Sequence, residues 1–232
     1  MIKENIAEIR RRMDAAARKA GRDPGEILLC AATKMNDADR VREAIAAGVD
    51  CCGENRVQEL VQKSALHAYD GKPVHFIGHL QTNKVKYIAP YISMIDAVDS
   101  LKLLKEIQKQ AAKNNRVIDV LLELHIAEEE TKYGLTPDAC RQLLDGGEWR
   151  EMTNVRICGL MMMASNVDDD NQIRREFMIA RQFFDEVKER YFADADYFCE
   201  RSWGMSDDYP IAVDCGSTMV RVGTKIFGPR VY

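Results

Sequence analysis

Ile2, Ile6, Ile9, Met13 and Ala17 recur three and four residues apart near the start of the chain, with charged residues between them. That spacing predicts an amphipathic helix ending near Gly21. Asp23-Pro24-Gly25 then breaks the chain. "EILLCAATK" follows as a continuous apolar run without polar alternation, the pattern of a strand covered on both faces. Asn36 and Asp37 supply a helix cap, and Val41, Ala44 and Ile45 carry a second helix to Gly48.

The same alternation repeats to the end. "VDCCG", "PVHFIG", "YISMIDAV", "RVIDVLLELHI", "VRICGLMMM", "DADYFCE" and "STMVRVG" read as strands. Between them "NRVQELVQKSALHAY", "QTNKVKYIA", "SLKLLKEIQKQAAKN", "PDACRQLLD" and "NQIRREFMIARQFFDEVKERY" read as helices, with a short helix starting near Ser206. Strands and helices alternating over short connections imply parallel pairing through crossover helices. Eight strands predict an α/β fold, a single (β/α)8 TIM-type barrel with an extra N-terminal helix, forming one domain over residues 1–232. Merging two of the strands would instead give an open doubly wound sheet.

Composition narrows the partners. With 46% hydrophobic residues, 30% charged residues and a net charge of −4, nothing favours nucleic acid or an anionic membrane. Arg10, Arg11 and Arg12 share their helix with Glu4, Glu8 and Asp14, so they read as a solvated face. No apolar run approaches the roughly 20 residues that cross a bilayer, and the start lacks the apolar core of a signal peptide. The expectation is a cytoplasmic protein. Cys30, Cys51, Cys52, Cys140, Cys158, Cys199 and Cys215 form no C-x-x-C pair, so neither a disulfide framework nor a zinc site follows, and most read as buried small hydrophobes. Alternation along "VDCCG" sends Cys51 and Cys52 to opposite faces.

In such a barrel, ligands sit at the carboxyl ends of the strands, and phosphate is often held after strands seven and eight. Lys34 ends the first strand, where it either snorkels to solvent or, desolvated, offers a nucleophilic amine for a carbonyl compound. Gly223 and Thr224 follow the last strand, and Ser206 opens the short helix after the seventh. Both loops read as tight turns or as anion sites. Arg221 points the same way as Met219, so its charge needs a partner. That partner is either a helix carboxylate or the ring nitrogen of a pyridine cofactor.

Taken together, "AATK", "GENRVQE", "HFIGHLQTNK", "DS", "GLMMMA", "GMSDD" and "GSTMVRVGTKIFG" resemble the pyridoxal 5′-phosphate (PLP) homeostasis proteins, the YggS-like family related to the N-terminal barrel of alanine racemase, from about Lys3 to Gly228. The resemblance implies PLP held as a Schiff base on Lys34, with Asn55 lining the cofactor. It places Met205, Ser206, Gly223 and Thr224 around the phosphate and Arg221 opposite the pyridine nitrogen. Within these motifs the chain departs from the usual family pattern at Arg56, Met162, Ser165, Arg201 and Trp203.

An arginine beside the pyridine nitrogen disfavours its protonation and weakens the ring as an electron sink. The related racemases add a tyrosine base from a dimerising β-domain, for which four residues after Gly228 leave no room. The expectation is therefore a monomeric PLP carrier or buffer with little or no turnover, serving apo PLP-dependent enzymes. Two rivals remain. One is an amino-acid racemase whose second base is Tyr133, His79 or Cys52, and the other a cofactor-free Schiff-base aldolase using Lys34 on a phosphosugar.

Overall fold

The apolar runs are short because each spans one wall of a closed ring. In a computed structural model of the chain, which describes residues 1–126 and 133–229, eight parallel strands pair in chain order and the last returns to the first. They are β1 (Leu28–Ala32), β2 (Cys51–Glu54), β3 (Val74–Phe76), β4 (Met94–Val98), β5 (Ile118–Leu124), β6 (Val155–Met162), β7 (Glu200–Ser202) and β8 (Met219–Val222). The helices are α1 (Ile2–Lys19), α2 (Ala38–Ala46), α3 (Val57–Ala65), α4 (Val85–Ile88), α5 (Leu101–Lys113), α6 (Pro137–Asp145), α7 (Asp170–Tyr191), α8 (Tyr209–Asp214) and α9 (Thr224–Phe227). Their starts follow the chemistry of their caps: the side chains of Asp37, Ser100, Thr136 and Asp169 accept backbone N–H groups of α2, α5, α6 and α7.

Two apolar layers result. Cys30, Cys51, Ala97, Leu121, Cys158, Met161 and Met219 fill the barrel, while Leu29, Ala31, Cys52, Phe76, Val120, Leu122, Val220 and Val222 belong to the larger layer under the helices. Cys51 and Cys52 therefore face opposite ways, as alternation requires. All seven cysteines are free thiols, and six are buried. The extra helix α1 buries Ile2, Ile6, Ile9, Met13 and Ala17 and packs against α2, α8 and α9. Its arginines are not all merely solvated: Arg11 pairs with Glu8 of its own helix, but Arg10 crosses to Asp50 at 2.5 Å. No helix among the described residues is long and apolar enough to cross a membrane.

Two elements differ from the sequence pattern. The seventh strand is Glu200–Ser202, not "DADYFCE", because Phe192 and Phe198 stack with centroids 4.2 Å apart, and Phe198 also stacks on Phe184 of α7. Phe198, the buried apolar residue of that stretch, thus packs against α7, while Tyr197 and Cys199 are exposed. The segment after β8 is also not a plain loop: Gly223 caps α9.

β6 carries one extra residue opposite β5, since Val120 faces Ile157 while Leu121 faces Gly159. Such a bulge bends the strand. It brings Gly159 so close to β7 that a Cβ would lie 1.9 Å from the Glu200 carbonyl oxygen. Gly159→Ala is expected to cost about 3 kcal/mol of unfolding free energy, measured by urea titration.

Candidate functional site

Lys34 lies one residue beyond Thr33, whose N–H donates to the Gly53 carbonyl at 2.9 Å and continues the β1–β2 ladder. The chain then turns: Asn36 N–H returns to the Thr33 carbonyl at 3.1 Å, and Met35 adopts the left-handed conformation at φ 61°. On the neighbouring strand β8, Arg221 N–H donates to the Gly204 carbonyl and Gly223 N–H to Ser206 Oγ at 3.2 Å, which ties the loops after β7 and β8 together. Gly204 is required here, since at φ 96° a Cβ would lie 2.5 Å from Ala212 Cβ. Gly78 is required by its closeness to Asn55, whose Cβ would be 2.7 Å away.

Lys34, Asn55, Met205, Ser206, Arg221, Gly223 and Thr224 all line one cavity of about 650 Å³ at the carboxyl ends of the strands. Asn55 Oδ1 is buried there without a hydrogen-bond partner among the described residues. An amine, two hydroxyls, an unsatisfied amide oxygen and a guanidinium therefore converge on one space. The donor set suits an anionic ligand that carries a carbonyl group. No cluster of metal-ligating side chains occurs among the described residues.

Arg221 is 4% exposed and lies inside the barrel, so the helix-carboxylate alternative does not hold. Its guanidinium donates to the Ser202 carbonyl and Oγ at 2.6 and 2.7 Å and to the Met162 carbonyl at 2.9 Å. Ser202 Oγ donates to Asp96 Oδ2, and Asp96 Oδ1 meets His75 Nδ1 at 3.1 Å. Burial pushes the arginine's pKa down, while Asp96, Asp208 and Glu123 among its neighbours oppose that. Burial alone would also lower His75, but the charge and hydrogen bond of Asp96 outweigh it and raise the imidazole to about 9.

Three buried polar groups escaped the sequence reading: this His75–Asp96 pair, Glu123, and a Glu54–Lys63 pair behind Lys34. The available signal was a charged residue in an apolar strand, as in "VHF", "MIDAV" and "LLEL". Glu123 is 3% exposed and its Oε2 has no partner among the described residues. Burial, then the Asp99 carboxylate, raise its pKa to about 7 against the pull of Arg221.

His79, Tyr133 and Cys52 are not among the residues that line the cavity. His79 pairs with Asp99 at 3.2 Å and stacks on Tyr133, with centroids 3.9 Å apart. Cys52 faces the outer layer. The residues that depart from the family pattern do not line the cavity either. Ser165 is held by Glu176 of α7, Arg201 lies over Phe184, Arg56 is exposed beside Glu59, and Met162 and Trp203 are buried in the outer layer.

The family model for the N-terminal domain of alanine racemase matches residues 2–231. Two proteins named pyridoxal phosphate homeostasis protein are similar to nearly the whole chain. That of Aquifex aeolicus (strain VF5) is 37% identical over 99% of this chain and 98% of its own length. That of Escherichia coli (strain K12) is 35% identical over 100% and 97%. Among solved structures, PipY of Synechococcus elongatus PCC7942 with PLP bound has a TM-score of 0.84 at 31% identity, covering 98% of this chain and 100% of PipY. Alanine racemase of Clostridium difficile 630 shares the fold, with a TM-score of 0.71 at 14% identity over 96% of this chain and 57% of the racemase.

Glu123 makes stability depend on pH. With a folded pKa of about 7 against an ordinary 4.5, the folded state holds a proton that the unfolded state releases between those values, so stability falls as pH rises through that window. Glu123→Gln is expected to exceed the parent by about 2–3 kcal/mol at pH 8 and to differ little near pH 5, measured by urea unfolding. The His75–Asp96 pair adds stability that is full below about 6.5 and lost as pH rises through about 9. In Asp96→Asn that alkaline loss should disappear.

Proposed function

Since the chain belongs to the pyridoxal phosphate homeostasis family, on the fold of the alanine racemase N-terminal domain, we propose that it binds PLP, holds it covalently through Lys34 Nζ, and serves intracellular PLP homeostasis with little or no catalytic turnover. The observation that carries this reading is the convergence of Lys34, the Ser206 and Gly223–Thr224 loops and buried Arg221 on one cavity. PLP, when bound, supplies an aldehyde that condenses with a primary amine with loss of water, together with a phosphate and a pyridine ring.

The chain's residues divide that work. Lys34 offers the amine from the rim of β1. Ser206 and Thr224, with Met205 and Gly223 beside them, would hold the phosphate through hydroxyl donors, and the unsatisfied Asn55 Oδ1 would accept from a donor on the ring or its surroundings. Arg221 stands toward the ring nitrogen as a fixed positive charge. Its position is set by Ser202 and the Met162 carbonyl, so it opposes a proton on that nitrogen. By opposing that proton Arg221 would keep a bound pyridine a weak electron sink, which would favour holding the cofactor over turning it over. On this reading the protein works in the cytoplasm as a monomer and passes PLP to apo-enzymes.

Lys34→Ala is expected to abolish the visible absorbance band of the PLP-loaded protein and the mass added by borohydride reduction. A band that survives would overturn the covalent assignment. Ser206→Ala combined with Thr224→Val is expected to weaken PLP binding at least about 10-fold by loss of hydrogen bonds to a charged group, measured by equilibrium dialysis. Loss of α-deuterium from amino acids at enzyme-like turnover would refute the non-catalytic reading.

A further inference from the structure

The side chains on the outer face behind Lys34 form a buried polar cluster that the binding of PLP does not use. Lys34 and Met35 line the cavity, whereas Thr33 between them and β1 is fully buried. Glu54, at the end of β2, is fully buried, and Lys63 of α3 is 6% exposed. Glu54 Oε1 accepts from Lys63 Nζ at 2.6 Å, Thr33 Oγ1 at 2.6 Å and Tyr69 OH at 2.9 Å. Burial, then the Glu54 carboxylate, hold the Tyr69 phenol protonated, so it remains a donor.

The cluster grips the backbone on both sides of Lys34. Lys63 Nζ donates to the Thr33 carbonyl at 2.8 Å. Glu59, one helical turn before Lys63, accepts the Met35 N–H at 2.7 Å and also meets Lys63 Nζ at 3.2 Å. Met35 is a non-glycine residue at φ 61°, a strained conformation that persists only where its surroundings hold it. The acceptor on Glu59 is the contact that meets its N–H.

We infer that Glu54, Glu59 and Lys63 are positioning residues: together they clamp the Thr33–Met35 turn from the outer face and so fix the direction in which Lys34 enters the cavity. The inference rests on Lys34 being the PLP-bearing residue. An amine aimed beforehand reaches a carbonyl carbon without first searching for its geometry, and a misplacement of about 1 Å can cost on the order of 100-fold in rate. A cluster that only stabilised the fold would not need Lys63 on the Thr33 carbonyl and Glu59 on the Met35 N–H, the two neighbours of one functional side chain.

The test compares Glu59→Ala, Glu59→Gln and Lys63→Met with the parent and with Lys34→Ala. It reads the rate at which the visible band forms when PLP is mixed with PLP-free protein, the fraction trapped on Lys34 by borohydride, and the thermal midpoint. Glu59 is partly exposed, so Glu59→Ala tests the clamp even where Lys63→Met fails to fold. Glu59→Ala is expected to slow band formation about 10-fold with its midpoint close to the parent's, and Glu59→Gln, which keeps an acceptor for Met35 N–H, to restore the rate. Parent-like rates in folded Glu59→Ala would overturn the clamp, as would equal slowing in Glu59→Gln. A band that survives Lys34→Ala would instead overturn the covalent reading on which the clamp rests.

Discussion

A guanidinium cannot stay inside a parallel barrel without acceptors, and those found for Arg221 join much of the ring. From β8 it reaches the carbonyls of Ser202 on β7 and Met162 on β6. Through Ser202 Oγ it reaches Asp96 on β4, and through Asp96 it reaches His75 on β3. Desolvating one arginine costs several kcal/mol unless charge and hydrogen bonds compensate. A single inward charge on the last strand therefore demands polar residues on strands far away in sequence. The barrel interior is apolar near Cys30, Cys51 and Met219 and polar around this chain.

The cavity depends on the same arrangement. Arg221 is both a member of the interior network and part of the cavity lining. The backbone N–H of Arg221 holds Gly204, which starts the loop that carries Ser206. Two close approaches, at Gly78 and Gly204, leave no space for a side chain. The site is thus assembled by the ends of rigid strands, with the charge on β8 and the amine on β1 set on neighbouring strands in a fixed register, Cys30 opposite Arg221.

On the opposite face of the same strands, a second polar group does a different task. Glu54 and Lys63 lie in the layer between barrel and helices, where Thr33 and Tyr69 complete the satisfaction of one carboxylate oxygen. The turn that follows β1 is held from this layer, since Lys63 Nζ donates to the Thr33 carbonyl and Glu59 accepts the Met35 N–H.

Much of this was legible along the chain, and the reasons for the rest are specific. Periods of two and of three to four, with Asp37, Ser100 and Pro137 at helix starts, located the elements because they are local consequences of backbone geometry. The position of Lys34 at a strand end, and of Gly223 and Ser206 after the last two strands, followed from topology once eight strands were counted. The boundary of β7 did not, because Phe198 carries the same apolar signal whether it packs in a sheet or stacks on Phe184 and Phe192. Nor did the partners of Arg221 and Thr33. The sequence by itself determined the strands, the helices and which residues could reach the barrel mouth. Tertiary structure decided that Asp96 balances Arg221, that Glu123 keeps a proton near neutrality and that Lys63 grips the turn of Lys34. Each of those depends on closure of the ring, which brings together charges that no sequence period relates.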